Sequence, residues 1–328
     1  MVRLTTWKMS NISQSCPPIL RLFARTVRWS YRTIRTISLG RMPKWQVIGG
    51  QFYMQIDPKD CMDRAFYFGS YEQHLVHLIA ATVRPGDVCI DVGAQRGFVT
   101  LHLGKAVGAD GQVFAFEPDP RAMEALTSNV QRNGFGHVRL YSCALGDRDA
   151  SCRFALSHQL GWSSRFPNDL AKPAVASTIS VWTRRLDDIM AEADIVPETH
   201  RISFIKIDAE GSEPLVLQGA QNTLQRFLPI VHVEVNKGSL RAGGFSVNSI
   251  EGLLRSLGYK LYAMRARRFG SLRSRFDVIP IASLATETRE CQDILAVHAS
   301  NEWRLQEPHK RFIMPSPAES TTKRSATG

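Results

Sequence analysis

The first 56 positions contain no acidic residue, against seven Arg and two Lys. That segment therefore supplies +9 of the formal +11 charge, and the remaining 272 residues carry only about +2. A high isoelectric point is thus a property of one end of the chain, which removes charge as an argument for a nucleic-acid partner of the main domain. The six cysteines, at 16, 61, 89, 143, 152 and 291, form no C-x-x-C pair and show no metal-ligand spacing. Zinc-ribbon and dithiol redox chemistry are excluded, and Cys89 and Cys143, set in apolar segments, read as reduced, buried residues of a cytoplasmic protein. No apolar run reaches the roughly 20 residues needed to span a bilayer. A G-x-G-x-x-G run is also missing, and with it the site for a dinucleotide pyrophosphate. Internal repeats are absent.

What is present is the segment DVCIDVGAQRGFVTLHLGKAVGADGQVFAFEPD, residues 87–119. Val88, Cys89, Ile90 and Val92 form the short apolar run of a strand buried on both faces. Gly93 and Gly97 allow a sharp turn, and a helix starting near Gly97 aims its free N–H groups at that turn. Val113 to Phe116 make the next strand, and Glu117 ends it, where a carboxylate can accept both hydroxyls of a ribose. The spacing D-x-G-x-x-x-G, with Ala94 and Gln95 between the glycines, contains nothing dedicated to phosphate. A nucleoside carrying an amino acid, S-adenosylmethionine, fits it better than NAD.

Two further strands end in acids. Ile202–Ile207 (ISFIKI) runs into DAEGSE, Asp208–Glu213, and IVHVEV from Ile230 ends at Glu234 and Val235, followed by Asn236. Three strands of one parallel sheet would then present acids at the edge where open α/β sheets bind ligands.

These pieces resemble the FkbM family of S-adenosylmethionine-dependent methyltransferases. The matching segments, in family order over roughly residues 65–300, are GSYE, RPGDVCIDVGAQRGFVT, VFAFEPDP, ALGD, RRLDDI, FIKIDAEGSE, VLQGA and VHVEV. FIKIDAEGSE is the most specific to the family. One departure is Gln95, where the family usually has Asn; it keeps the amide but moves it by one methylene. The resemblance implies a Rossmann-like class I methyltransferase fold, a seven-stranded, mostly parallel sheet with helices on both faces. It implies O-methylation of a hydroxyl on a glycan or secondary metabolite. Cofactor contacts are expected from Asp91, Gly93, Ala94, Gly97, Glu117, Ala144 and Asp208. The alternatives are an RNA methyltransferase and a catalytically idle, membrane-associated scaffold.

Methyl transfer to an alcohol requires a group to take the hydroxyl proton. Asp208, first after its strand, and Glu210 are the catalytic candidates. Glu213, Glu234, Arg265 and Arg268 are the candidates for acceptor binding. Glu213, at the start of a helix, also suits a capping role. His232 reads as a core histidine, and Lys206 as a buried cation paired with Asp208 or Glu234. No metal is expected, although Asp208, Glu234 and Asn236 resemble the oxygen ligands of a Mg²⁺ site.

Along the chain, residues 1–40 read as a basic extension, 41–84 as a lead-in, 85–300 as the methyltransferase domain and 301–328 as a tail. Within the extension, a helix over 19–37 would align Arg21, Arg25, Arg28, Arg32 and Arg35 beside an apolar stripe. It suits peripheral contact with the inner face of a membrane, docking on the core, or a transit peptide. Residues 150–186 interrupt βαβ alternation with strands SCRFAL and STISVW around a loop, 157–172, placed to cover the cofactor edge. Pro118–Asn133, Ser212–Phe227 and Val247–Leu257 read as helices, and Val138–Ala144 as a strand. Tyr259–Arg265 and Asp293–Val297 read as the last strand pair. The five-arginine run RARRFGSLRSR, residues 265–275, lies in their connection, where it could grip an anionic acceptor or stay solvated.

Overall fold

In the computed structural model, residues 44–57, 60–158, 161–169, 171–269, 273–302 and 312–313 are described. The expected helix over 19–37, its arginine stripe and most of the expected tail lie outside the described residues. The chain divides into two compact units, one ending at Tyr71 and the other beginning at Glu72.

In the first unit, β1 (Trp45–Ile48) and β2 (Phe52–Gln55) form an antiparallel hairpin. Helix α1 (Cys61–Tyr67) follows, capped by Asp60, whose carboxylate accepts the N–H groups of Met62 and Asp63. Phe66 is fully buried and meets the Tyr71 ring edge-on at 4.7 Å.

The second unit opens with α2 (Gln73–Thr82). It alternates through β3 (Val88–Val92), α3 (Phe98–Val107), β4 (Gln112–Phe116), α4 (Pro120–Arg132) and β5 (Val138–Tyr141). The next elements are β6 (Ala144–Leu145), β7 (Ala150–Ser157), β8 (Val175–Arg184), α5 (Leu186–Glu192) and β9 (Ile202–Ile207). Then come α6 (Glu213–Gln218), α7 (Gln221–Phe227), β10 (Ile230–Asn236), α8 (Lys237–Ala242) and α9 (Val247–Ser256). The last are β11 (Tyr259–Phe269), β12 (Arg273–Pro280), β13 (Cys291–His298) and β14 (Phe312–Ile313).

The main sheet has the order β14-β12-β11-β13-β10-β9-β3-β4-β5. From β5 to β10 neighbours are parallel, and β13 runs antiparallel to both β10 and β11. These seven strands are those the sequence predicts; β12 and β14 extend the sheet beyond β11. All five residues of β3 and all six of β9 are buried, as an apolar run flanked by helix layers should be. Removing each of the Val, Ile and Phe side chains among them from water contributes about 1.5–3 kcal/mol. The chain reverses between β9 and β3 in sheet order, so a crevice opens at the carboxyl ends of these strands.

Three elements differ from expectation. The helix expected over 212–227 is two helices, α6 and α7. A Cβ on Gly219 would lie 1.9 Å from the Gly146 carbonyl oxygen, so the chain is pressed against that loop and the helix ends there. The Asp187 carboxylate then receives the N–H groups of Asn222 (3.1 Å) and Thr223 (2.8 Å), which starts α7. The strand expected over 138–144 stops at Tyr141, and Ala144–Leu145 pairs with β8 in a separate three-stranded sheet. The described residues of the arginine-rich connection are strand: β11 runs to Phe269 and pairs antiparallel with β12 from Arg273, with Arg265 opposite Asp277.

Candidate functional site

The turn after β3 is built as the glycine spacing demands. Gly93 has φ +74, and a Cβ there would sit 1.9 Å from the Asp208 carbonyl oxygen. The close approach that requires glycine is therefore to the loop after β9. Gly93 and Ala94 donate their N–H groups to the Phe116 carbonyl, both at 3.0 Å. Gln95, also left-handed at φ +52, donates its N–H to Glu117 at 2.8 Å. Asn tolerates that backbone region better than Gln, so the family departure falls where it strains the turn. Gly97 caps α3 without a side-chain bond, leaving that helix N-terminus directed at the turn.

Glu117 stands at the end of β4 as predicted, only 6% exposed. Its other oxygen accepts the Asp119 N–H at 2.8 Å. Burial pushes its carboxyl up to about 7, beyond what the two N–H bonds offset. Each oxygen keeps a second lone pair, so the carboxylate can still receive ribose hydroxyls.

A polar row crosses the buried sheet beneath this edge. Asp91 of β3 is the register partner of Lys206 in β9, and Lys206 is the partner of His232 in β10. Register partners project to the same face, so these three side chains share one side of the sheet. Lys206 lies 3.3 Å from Asp208 and 3.6 Å from Asp91. Burial would lower its ammonium, but the charges of Asp208 and Asp91 outweigh it and hold it above its ordinary value. Lys206 pairing with Asp208 is thus as expected. Asp91, expected at the cofactor, is fully buried, accepts the Thr100 hydroxyl at 2.6 Å and ties α3 to β3. Ala144, also expected at the cofactor, lies in β6 opposite Thr183.

Glu213, expected to bind the acceptor, starts α6. It is 2% exposed, with its carboxylate turned back on its own loop to accept the N–H groups of Ala209 (3.0 Å) and Gly211 (3.1 Å). It staples the DAEGSE loop in shape. Burial pushes it up to about 7. Glu210, by contrast, holds a left-handed φ of +48 and faces a cavity of about 190 Å³. Glu234, Asn236 and Ser239 line the same cavity from β10 and α8, with Trp162, Phe166 and Asn168 from the insertion. Burial, then the Asp208 charge, pushes Glu210 up to about 8. The Asp208 charge, then burial, raises Glu234 well above the usual carboxylate range.

The insertion covers this edge as expected and is pinned at three points. Ser163 donates to Asp119 at 2.8 Å, Ser164 donates to the Glu210 carbonyl at 2.8 Å, and Asn168 donates to Ser239 at 2.9 Å. Arg121 adds a bidentate pair with Asp119 and a bond to the Ser157 carbonyl at 2.9 Å. Trp162 remains 41% exposed at the cavity.

Residues 91–261 match the methyltransferase FkbM domain, just over half of the chain and all of the elements that build this edge. The chain belongs to the FkbM methyltransferase family. It is a methyltransferase. A 2-O-methyltransferase NoeI of Sinorhizobium fredii is 29% identical over 191 residues, 55% of this chain and 75% of that protein. The 31-O-demethyl-FK506 methyltransferase FkbM of Streptomyces tacrolimicus is 30% identical over 60% of this chain and 85% of its own length. The crystal structure of methyltransferase FkbM from Methylobacillus flagellatus KT aligns with 82% of this chain and 59% of its own, with 14% identity and a TM-score of 0.39.

One group expected at the acceptor of this FkbM methyltransferase, Arg265, is not among the residues that line the cavity. Arg265 donates to both oxygens of Glu287 at 3.1 Å, which commits its guanidinium to a protein carboxylate. Arg268 is on β11, with its side chain outside the described residues. Trp162, Phe166 and Ser239, which line the cavity, carried no sequence signal. His74 and Asp293 were equally silent, being far apart in the chain.

Proposed function

We propose that this chain transfers a methyl group from S-adenosylmethionine to a hydroxyl of a glycan or secondary metabolite. The observation that carries the reading is the cavity: its acids and Trp162 adjoin the DAEGSE loop, which packs directly on the Gly93 turn. S-adenosylmethionine supplies an electrophilic methyl when bound. The residues fit such a nucleoside: a left-handed glycine turn, an uncapped helix N-terminus and the buried Glu117 carboxylate at the strand end. Glu117 would hold the ribose, and the Gly93–Gly97 turn would lie under the remainder.

For the proton, Glu210 is the stronger candidate. It lines the cavity, and a carboxyl pushed up to about 8 is matched to accepting an alcohol proton near neutral pH. Asp208 is held by Lys206 and sets the charge around Glu210. Trp162 offers a flat apolar face of the kind sugar rings lie against, with the polar groups of Asn168, Asn236 and Ser239 nearby. The names of two relatives, a 2-O-methyltransferase and a 31-O-demethyl-FK506 methyltransferase, agree with a hydroxyl acceptor.

The test has two stages. Calorimetry with S-adenosylhomocysteine should show one site per chain, lost in Glu117→Ala. Incubation with methyl-labelled S-adenosylmethionine and fractionated extract should then place label in glycan or small-molecule fractions. Label in RNA would overturn the acceptor class, and absence of any binding would favour an idle scaffold.

A further inference from the structure

We propose that His74, His232 and Asp293, with Glu72 as a fourth donor, form a site for one divalent transition-metal ion beside the acceptor cavity. The three residues come from α2, β10 and β13, and one donor atom from each lies within 4.8 Å of the others. The Asp293 carboxylate sits between the imidazoles: Oδ2 is 3.0 Å from His74 Nε2, and Oδ1 is 3.3 Å from His232 Nε2. Two donors each about 2.1 Å from one ion stand about 3.0 Å apart at a right angle and about 3.4 Å apart in a tetrahedron. The two His–Asp separations fall in this range, and the donor atoms as a group lie within 4.8 Å of one another.

A second observation points to a ligand. His232 is 2% exposed, and neither of its ring nitrogens makes a hydrogen bond. At 3.3 Å from Asp293, Nε2 has the distance for such a bond without its alignment. A buried imidazole left in this way is costly unless something occupies its lone pair. Glu72 Oε2 is likewise buried without a hydrogen bond and lies 3.2 Å from His74 Nε2.

The charge balance agrees. Glu234 is the register partner of Asp293, and the charges of Asp208 and Asp293 both act on it. Lys206 is shared between Asp208 and Asp91. A cation among Glu72, Asp293 and the imidazoles would offset this excess of carboxylates one side chain away from the cavity. Two imidazoles with carboxylates suit Zn²⁺, Fe²⁺, Co²⁺ or Ni²⁺ better than Mg²⁺ or Ca²⁺. The ion would tie α2 to β10 and β13. It is independent of the Asp208, Glu234 and Asn236 oxygen set read from the sequence.

Cobalt is the probe. The full chain, stripped with a chelator and dialysed, is titrated with Co²⁺ and followed by visible absorption and calorimetry. One Co²⁺ per chain is expected, with ligand-field bands, displacement by Zn²⁺ and a raised melting temperature. His232→Ala and His74→Gln should each weaken binding by more than about 100-fold, the upper end of what losing an outer-shell partner costs. Asp208→Asn should bind as wild type. Circular dichroism checks that each variant folds; should His232→Ala unfold, His74→Gln on the helix carries the comparison. The proposal is overturned if the wild type binds no Co²⁺, if both histidine variants bind normally, or if a thiolate charge-transfer band reports Cys291 as the ligand instead.

Discussion

The Lys206 ammonium lies 2.7 Å from the Gly93 carbonyl oxygen. A cation from β9 thereby holds the turn that follows β3, while its charge is balanced by Asp91 and Asp208. Removing it leaves the fully buried Asp91 carboxylate without a counter-charge. Lys206→Met should cost about 3–5 kcal/mol, the range for breaking one side of a buried pair. Urea denaturation reads this directly. A loss under about 1 kcal/mol would mean that the lysine does not organise the turn.

Gly93→Ala should fail for a different reason. The added Cβ would meet the Asp208 carbonyl at 1.9 Å, at a φ of +74 that L-residues avoid. Both loops of the site would have to move. A destabilisation of about 2 kcal/mol or more is expected, with loss of S-adenosylhomocysteine binding. Gly86, also left-handed but with open space around it, is the control: Gly86→Ala should cost only about 1 kcal/mol and keep binding. Equal effects at the two positions would refute the steric account.

Stability should fall as the pH rises from 5 to 8. Glu117 and Glu213 are each raised by burial from an ordinary 4.5 to about 7. Between those values the folded chain binds more protons than the unfolded one, so their contribution is complete below 4.5 and lost on passing about 7. For each group the full difference is roughly 3 kcal/mol. Glu213→Gln, which keeps an acceptor for the loop N–H groups, should flatten the profile of urea midpoints. Affinity for S-adenosylhomocysteine should run the other way, rising through about 7 as Glu117 ionises to receive the ribose. A flat stability profile in the wild type would show that these carboxyls are ionised throughout.

The two candidate bases separate by pH. Glu210→Gln should lower turnover by about 10² to 10⁴ and abolish a rise in rate that levels off near pH 8. Asp208→Asn removes a negative charge that raises Glu210, so the rate should fall less and the rise should move to lower pH. If Glu210→Gln keeps the full pH profile while Asp208→Asn loses it, Asp208 is the base.

Local pattern carried much of the outcome. The apolar runs of β3 and β9, the glycine spacing and the acid after β4 each depend on residues adjacent in the chain, so their geometry follows from the backbone they impose. Glu213 shows the limit: its place at a helix start was legible, but whether its carboxylate faced the acceptor or its own loop depended on how DAEGSE curls. Arg265 shows the same limit, since only the hairpin of β11 and β12 and the position of Glu287 decide what its guanidinium meets.

The sequence by itself thus determined the strand and helix alternation, the cofactor turn and the identity of the acids at the sheet edge, because periodicity and glycine conformation act over a few residues. Tertiary structure alone decided which of those acids line the cavity, that Gly93 is glycine for the sake of the Asp208 carbonyl, and that His74, His232 and Asp293 meet. Those three lie more than 60 positions apart at their nearest, and strand register and helix packing, which no local pattern encodes, bring them together.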